Sequence, residues 1–142
     1  MDDITDFYTW TRQQAEALRR RAGKDADNEI DWENVAEEIE ALGRGDSREI
    51  GSRLAIVIEH LLKWKFQPEG RNNSWRRSIS DGREAIAELI EESPSLHRAP
   101  AERLARAYRK GRRDALADTG VYHMPDECPW TIEQMLDDDF LP

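Results

Sequence analysis

The amino-acid sequence predicts an all-α fold, a single-domain helical bundle of about five main helices that ends in a short C-terminal helix and an arm. Apolar residues recur at every third or fourth position along most of its 142 residues, and residues that cap or stop helices bracket these stretches. No stretch alternates apolar and polar residues, as a half-buried β-strand would. The chain has the length of one ordinary domain, so residues 1–142 are expected to form a single helical domain.

The first two helices are predicted from their capping residues. The first begins near Asp6 and ends at Gly23, a residue type that readily closes a helix. The second begins after Asp31, whose carboxylate can accept hydrogen bonds from the first turn, and is expected to end at Gly43. Its predicted apolar face consists of Trp32, Val35, Ala36, Ile39 and Leu42.

A third, central helix is predicted between Ile50 and Pro68. Its apolar side chains form a stripe on one helical side, namely Ile50, Leu54, Val57, Ile58, Leu61 and Leu62. Each such side chain contributes roughly 1.5–3 kcal/mol when fully buried. This stripe is therefore expected to form the centre of the core.

Two further helices and a short terminal one complete the predicted bundle. Ser74 is expected to cap the fourth, in which Gly82 falls on the apolar stripe and indicates close approach of another backbone. The fifth is predicted over residues 101–119, stopped by the glycine that follows. Thr131 and Gln134 have the spacing of a capping box at the start of the short last helix.

Composition and charge favour a soluble cytoplasmic protein. Thirty acidic against 21 basic side chains give a net charge of −9, which disfavours attraction to nucleic acid or an anionic membrane. Cys128 is the only cysteine, so no internal disulfide can form and a reducing compartment is expected. The opening Met1-Asp2-Asp3 does not resemble a targeting segment, and the apolar stretch 54–64 is too interrupted by charges to cross a bilayer.

Carboxylates on the second helix raise the possibility of a di-metal centre. Such centres also use a Glu and a His three residues apart, and no Glu-x-x-His occurs in this sequence. Glu33, Glu37 and Glu40 fall on the side opposite Trp32 and Ile39, so a solvated stripe is favoured. No metal site and no cofactor are predicted.

Catalytic residues are equally sparse. His60 lies at the edge of the central apolar stripe and could titrate near neutral pH, although a boundary residue with one hydrogen bond is the favoured interpretation. Cys128 follows Glu127, whose negative charge would raise the pKa of the thiol, so a nucleophile is not expected. Since no phosphate loop or nucleophile elbow is present either, the sequence leans against an enzyme without excluding one.

Two basic stretches stand out in an acidic chain. The first mixes cations with aromatic residues, as single-stranded nucleic-acid sites do, but packing of Trp75 in the core is favoured over base stacking. Its members are Lys63, Trp64, Lys65, Phe66, Arg71, Trp75, Arg76 and Arg77. The second is the fifth helix, with a candidate basic surface of Arg103, Arg106, Lys110 and Arg113. An acidic block over residues 25–59 can neutralise it, within the chain or across a dimer.

The chain resembles a bacterial family known as domain of unknown function 29 over nearly its whole length. The words that carry the resemblance are Asp6-Phe7-Tyr8, Asp31-Trp32-Glu33-Asn34, Ala36-Glu37-Glu38-Ile39, Leu61-Leu62-Lys63-Trp64, Gln67-Pro68-Glu69, Ser74-Trp75-Arg76, Glu92-Ser93-Pro94-Ser95-Leu96, Cys128-Pro129-Trp130-Thr131-Ile132-Glu133-Gln134 and Phe140-Leu141-Pro142. The resemblance implies an all-helical bacterial protein and brings no catalytic residue set. These words cluster around the second helix and the turn after the third, and a site is expected where those meet, with Glu38, His60, Lys63, Trp64, Trp75 and Arg76 as candidates.

Three functions follow as hypotheses. The first is a non-enzymatic protein-interaction or regulatory module, most simply a homo-oligomer, because the charges are segregated and catalytic groups are lacking. The second is a metal-dependent or acid–base enzyme with a site near Glu38, His60 and Trp64. The third is nucleic-acid binding through the basic helix at residues 103–113.

Overall fold

The other long helices of the described chain pack against one long helix, α2 (Trp32–Phe66). The computed structural model describes residues 6–24 and 29–142, and within these ranges the chain is α-helical without β-strands. The remaining α-helices are α1 (Phe7–Ala22), α3 (Asn73–Glu92), α4 (Ala99–Thr119) and the short α5 (Ile132–Leu136). Short 3₁₀ helices precede α3 and α4, at Pro68–Gly70 and Pro94–Arg98. The all-α prediction is confirmed.

The expectation that the chain opens without a targeting segment concerns Met1-Asp2-Asp3, which lie outside the described residues. Asp25 and Asp27 of the predicted acidic block lie outside them as well. Among the residues that are described, no helix combines the length and the apolar character needed to span a bilayer.

The predicted end of a helix at Gly43 is wrong, because α2 continues through this residue for 35 residues in all. Gly43 lies directly against Thr11 and Tyr8 of α1, so the missing side chain lets two helices approach rather than stopping one. At about 1.5 Å per residue, α2 is roughly 50 Å long. The two predicted helices on either side of Gly43 are thus one, and residues 6–24 and 29–142 contain four long α-helices and the short α5.

The long helices pack on two different stretches of α2. The first half of α2 runs antiparallel to α1, since Gly43 meets Thr11 while Glu40 meets Arg19 further along. The second half is flanked by α3, which runs antiparallel to it, and by α4, which runs parallel to it. These directions follow from contacts of Val57 with Gly82, Trp64 with Arg76, Ser47 with Arg103 and Lys63 with Asp118.

The core is centred on the second half of α2, as predicted. Its main members there are the fully buried side chains Ile50, Leu54, Val57, Ile58, Leu61 and Leu62. Ile79 and Ile86 of α3 and Ala107, Tyr108 and Ala115 of α4 close over them. The first half of α2 differs, because its predicted apolar face buries Ala36 but leaves Val35 and Leu42 39% and 61% exposed. The prediction is wrong for Val35 and Leu42, because α1 packs on the other side of this stretch, at Ala36 and Gly43.

Helix α3 starts two residues earlier than predicted. Asn72, rather than Ser74, is its N-cap, and the Asn72 side chain accepts a hydrogen bond of 2.8 Å from the backbone N–H of Trp75. The close approach predicted at Gly82 is present. A Cβ atom there would lie 2.5 Å from Cγ2 of Val57, so the neighbour is chiefly a side chain and only secondarily the backbone of Arg53, whose carbonyl oxygen is 3.5 Å away.

The contact between α4 and α2 is closest at Gly111. A Cβ atom at this position would lie 2.7 Å from the carbonyl oxygen of Ala55 and 3.1 Å from the backbone nitrogen of Glu59. Helix α4 begins at Ala99, two residues before the predicted start, because Pro100 fits the first turn. It ends at Gly120, which adopts a φ of 70° as a left-handed cap.

The C-terminal arm is fastened to the bundle at two places. Tyr108 donates a hydrogen bond of 2.5 Å to the carbonyl of Pro125, and Arg112 donates to the same oxygen at 3.0 Å. The predicted capping box of Thr131 and Gln134 is confirmed at the start of α5. Further along, the buried Arg83 of α3 donates to the carbonyls of the arm, at 2.7 Å to Met135 and 2.9 Å to Phe140.

Replacing Gly111 by alanine is expected to lower the free energy of unfolding by about 1–3 kcal/mol, because the overlap with backbone atoms of α2 cannot be relieved by rotating a side chain. Gly45 is the matched control, since it also lies within a helix but has no atom within 4 Å of its would-be Cβ. Gly45→Ala should raise stability by about 0.5–1 kcal/mol through helix propensity. Urea unfolding of both variants measures the contrast, and equal effects would refute the close packing.

Replacing Arg83 by methionine keeps much of the volume but removes the donors that hold the C-terminal arm. We expect a loss of about 1–3 kcal/mol, because the carbonyls of Met135 and Phe140 lose a charged donor. Hydrogen exchange should quicken from residue 130 onward. The exposed Arg77 on the same helix provides the control variant Arg77→Met. An arm whose exchange is the same in both variants would show that Arg83 does not hold it.

Candidate functional site

Four of the six predicted pocket residues lie together where α2 meets the start of α3. The guanidinium carbon of Arg76 lies 5.2 Å from the ring centroid of Trp64, and that of Arg71 lies 4.9 Å from it. Lys63 Nζ lies 5.6 Å from the ring centroid of Trp75. The aromatic rings are therefore engaged by cations of the same chain, which leaves little surface for stacking a base.

Lys63 is the most buried charge of this cluster. Its Nζ atom lies 3.0 Å from Oε2 of Glu59 and 2.7 Å from Oδ2 of Asp118 on α4. Burial disfavours the ammonium, yet hydrogen bonds to Asp118 and Glu59 outweigh it and raise the pKa of Lys63 above 10.5. Lys63 is thus held as a cation that joins α2 to α4, and it is not poised to act as a base.

His60 borders this cluster without entering a catalytic arrangement. Its Nδ1 atom is 2.8 Å from the carbonyl oxygen of Ile56, and its Nε2 atom is 3.7 Å from Oε2 of Glu59. The backbone hydrogen bond is the one that a boundary residue was expected to make.

Glu38 is not brought to the other predicted residues. It lies on the same continuous helix as His60, 22 positions earlier, which places it about 33 Å away along the axis. Its side chain is exposed. The two clusters of family motifs do not meet, because one lies in the first half of α2 and the other begins at the C-terminal end of the same helix. Glu38 and His60 therefore do not form an acid–base pair.

The other carboxylates on the first half of α2 face arginines rather than a metal. Arg19 of α1 lies 2.7 Å from Glu40, and Arg44 lies 3.0 Å from both Glu37 and Glu40. The hydrogen bond from Arg19, opposed by partial desolvation, lowers the pKa of Glu40. In the described part of the chain no three His, Cys, Asp or Glu side chains converge as metal ligands would. Sequence reasoning missed Arg19, whose role depends on how α1 packs.

Cys128 is half-buried and lies against Met135. Its Sγ atom is 3.4 Å from the carbonyl oxygen of Trp130 and 3.7 Å from Sδ of Met135. Burial raises the pKa of this thiol. The direction is the predicted one, but the cause is burial rather than the charge of Glu127.

Three of the four residues of the predicted basic surface line a groove between α2 and α4. Arg103, Arg106 and Lys110 form one wall, and Arg48 of α2 forms the other. This cationic groove has a volume of about 430 Å³. Arg113 does not join it, because it points to solvent and its Nε atom lies 3.6 Å from Asp114. Arg48 was not predicted, since its proximity follows from the register between the two helices.

A second surface lies on the hairpin formed by α1 and the first half of α2. Val35, Ile39 and Leu42 follow one another at helical spacing on the side of α2 away from Arg19. Gly82 is level with Arg53 and Val57, so α3 ends roughly level with residue 45, and Leu42 and Val35 beyond that level are exposed. Trp10 is nine positions from Arg19 in α1, about two and a half helical turns, which places it on the side of α1 away from Arg19. We refer to Val35, Ile39, Leu42 and Trp10 as the hairpin face.

The contact between Lys63 and Asp118 predicts a pH dependence of stability. The hydrogen bond from Lys63 lowers the pKa of Asp118 below 3.8, so its contribution is present above that value and is lost as the pH falls through the lower folded-state pKa. Asp118 is 58% exposed, so Asp118→Asn should cost no more than about 1 kcal/mol at neutral pH and nothing in acid. Urea unfolding at both pH values measures this. A cost that persists in acid would contradict the assignment.

Sequence motifs that carry the family resemblance form contacts between elements of the structure. Asp6 accepts hydrogen bonds of 2.7 Å from the backbone N–H and the hydroxyl of Ser95, which ties α1 to the segment before α4. Although burial opposes it, these bonds and one from Thr9 lower the pKa of Asp6. Trp130 packs edge-on against Phe140 at 6.3 Å in the arm. These two contacts therefore give the family motifs a structural role in holding segments together.

Comparison with known proteins agrees with this architecture. The chain aligns with a solved α-helical protein of unknown function from Rhodospirillum rubrum, with a TM-score of 0.74, 24% identity and coverage of 99% of this chain and 92% of that one. At this identity the likeness shows the fold alone. No curated protein matches the chain. The model of the family described as "Domain of unknown function DUF29" matches residues 4–141, and the chain belongs to that family.

Proposed function

We propose that this protein is a non-enzymatic interaction module that binds a second copy of itself through the hairpin face. The observation that carries the proposal is the exposure of Leu42 and Val35, 61% and 39%, on a helix that is otherwise the spine of the core. Ile39 lies half-buried between them. Full burial of such a side chain is worth roughly 1.5–3 kcal/mol, so covering this face would stabilise a complex.

The geometry of the hairpin favours another helical hairpin as the occupant. Two antiparallel helices leave one broad side uncovered, and pairing two such hairpins about a twofold axis gives a four-helix bundle. In this arrangement α1 of one copy can lie beside the first half of α2 of the other. The same surface then serves both copies, which is the simplest way for one patch to be self-complementary.

Charge complementarity supports this pairing. Helix α1 contains one acidic residue, Glu16, and four basic ones, Arg12, Arg19, Arg20 and Arg21. Along residues 32–46 of α2 the balance is reversed, with Glu33, Glu37, Glu38, Glu40 and Asp46 against Arg44. Arg19 and Arg44 pair with Glu33, Glu37 and Glu40 within one copy, on the side away from the hairpin face. The opposite net charges of the two helices therefore act at longer range, where they favour α1 against α2 over α2 against α2.

The proposal places the protein in a bacterial cytoplasm and gives it no cofactor. The half-buried Cys128, whose pKa is raised, suits a reducing compartment as a small apolar residue rather than as a nucleophile. Regulation of another protein would then operate through surfaces that remain free on the dimer. The enzyme hypothesis loses its main support because Glu38 and His60 are far apart along α2.

Leu42→Glu is the direct test, because it places a charge at the centre of the hairpin face. Light scattering of the unmodified protein should give the mass of a dimer, and the variant should give a monomer of 16.5 kDa. Tyr122→Glu is the matched control, since Tyr122 is 88% exposed and lies outside the hairpin, so this variant should remain dimeric.

Two results would count against the proposal. One is an unmodified protein that stays monomeric at every concentration measured. The other is dissociation by Tyr122→Glu to the same extent as by Leu42→Glu. Helical content measured by circular dichroism should be the same in all three proteins, because both positions are exposed in the monomer.

A further inference from the structure

We infer that the cationic groove between α2 and α4 is a binding site for a compact ligand with two or more phosphate groups. The groove lies on the middle of α2, from Arg48 to Ala55, and its lining shares no residue with the hairpin face. It therefore does not depend on the proposed self-association, and either assignment can fail without the other.

The two walls of the groove aim cations at one volume. Arg103, Arg106 and Lys110 are spaced by three and four residues, which places them on one face of α4 over about 10 Å. Arg48 and Ser52, four residues apart, face them from α2 and add a guanidinium and a hydroxyl. Guanidinium groups bind phosphate through paired N–H donors, so this set of donors matches a multiply charged oxyanion.

These cations are poorly compensated by the protein itself. Within the described residues no carboxylate forms an ion pair with Arg48, Arg103 or Arg106, and the groove lining contains no acid. Lys110 reaches Asp114 at 3.3 Å, an exposed pair of the kind that contributes little. In a chain with a net charge of −9, such a local excess of positive charge is a feature that a bound anion would neutralise.

Small residues keep the groove open and orient one of its arginines. Gly51, Ala55 and Ala107 form its floor. A Cβ atom at Gly51 would lie 3.3 Å from Cδ of Arg103, so the arginine stem rests on the glycine. Ser47 accepts a hydrogen bond of 3.2 Å from Nε of the same arginine, so this bond does not use its terminal nitrogens, which remain as donors.

The size and the surroundings favour a compact anion over a nucleic acid. A volume of about 430 Å³ is that of a small-molecule site. The lining has no aromatic residue on which a base could stack. A long polyanion would also experience the acidic remainder of the chain, whereas a compact ligand interacts mainly with charges inside about one Debye length, roughly 8–10 Å.

Titration calorimetry with inorganic tripolyphosphate at low salt tests the site. The unmodified protein should bind one equivalent per groove, and Arg106→Gln and Arg48→Gln should each weaken binding about tenfold or more. Arg113→Gln is the matched control, because it removes the same charge from the same helix outside the groove. It should change the affinity by less than about threefold.

Each alternative outcome decides against a stated part of the inference. Absence of saturable binding would remove the site. Equal weakening by Arg113→Gln and Arg106→Gln would show diffuse attraction rather than a groove. Binding of citrate more tightly than tripolyphosphate would show that the groove prefers carboxylate to phosphate groups. Binding of a short DNA duplex more tightly than tripolyphosphate, lost in Arg106→Gln, would show that the ligand is a nucleic acid and not a compact anion.

Discussion

The rest of the bundle depends on the close contact between Gly111 of α4 and the backbone of α2 at Ala55. A side chain at that point would overlap main-chain atoms, so the two helices can be this close only with glycine there. The same contact brings Asp118 to Lys63 at one end and Arg103 to Ser47 at the other. The interior of the bundle and the cationic groove therefore share one cause, the parallel register of α2 and α4.

The two halves of α2 obey different physical constraints. The second half is enclosed by α3 and α4, and its apolar stripe is fully buried. From Trp32 to Leu42, α2 packs mainly against α1, so one side is closed by the ion pairs of Arg19 and the other side leaves Val35 and Leu42 in contact with water. A helix that continues beyond the helices packed on it exposes apolar residues, and this explains why the surface proposed for self-association lies there rather than over the core.

Much of the fold could be predicted because helical periodicity and capping are local properties. The stripe from Ile50 to Leu62 and the capping box at Thr131 needed only neighbouring residues to be recognised. Gly43 shows the limit, since glycine both ends helices and allows them to touch, and only the position of Thr11 decides between these roles. The positions of Arg19, Arg48 and Arg83 could not be predicted, because the residues that each of them lies against are distant in sequence. Of the candidate site, the contacts of Lys63, Trp64, Trp75 and Arg76 were foreseen as a neighbourhood, while Glu38 was misplaced by the unrecognised continuity of α2.

The residues most distinctive in the sequence are those whose side chains are already occupied. Lys63 is held between two carboxylates, Trp64 is covered by Arg71 and Arg76, and Asp6 is saturated by Ser95 and Thr9. A polar group with all its partners inside the protein stabilises a joint and has little capacity left for a ligand. Capacity to bind remains at side chains that the rest of the chain does not contact fully, namely cations without a paired carboxylate and exposed apolar side chains. In this protein those places are an arginine-rich helix and a few aliphatic residues, which the sequence does not mark as unusual. Whether they form a groove or an exposed face is decided by the register of α2 with its neighbours.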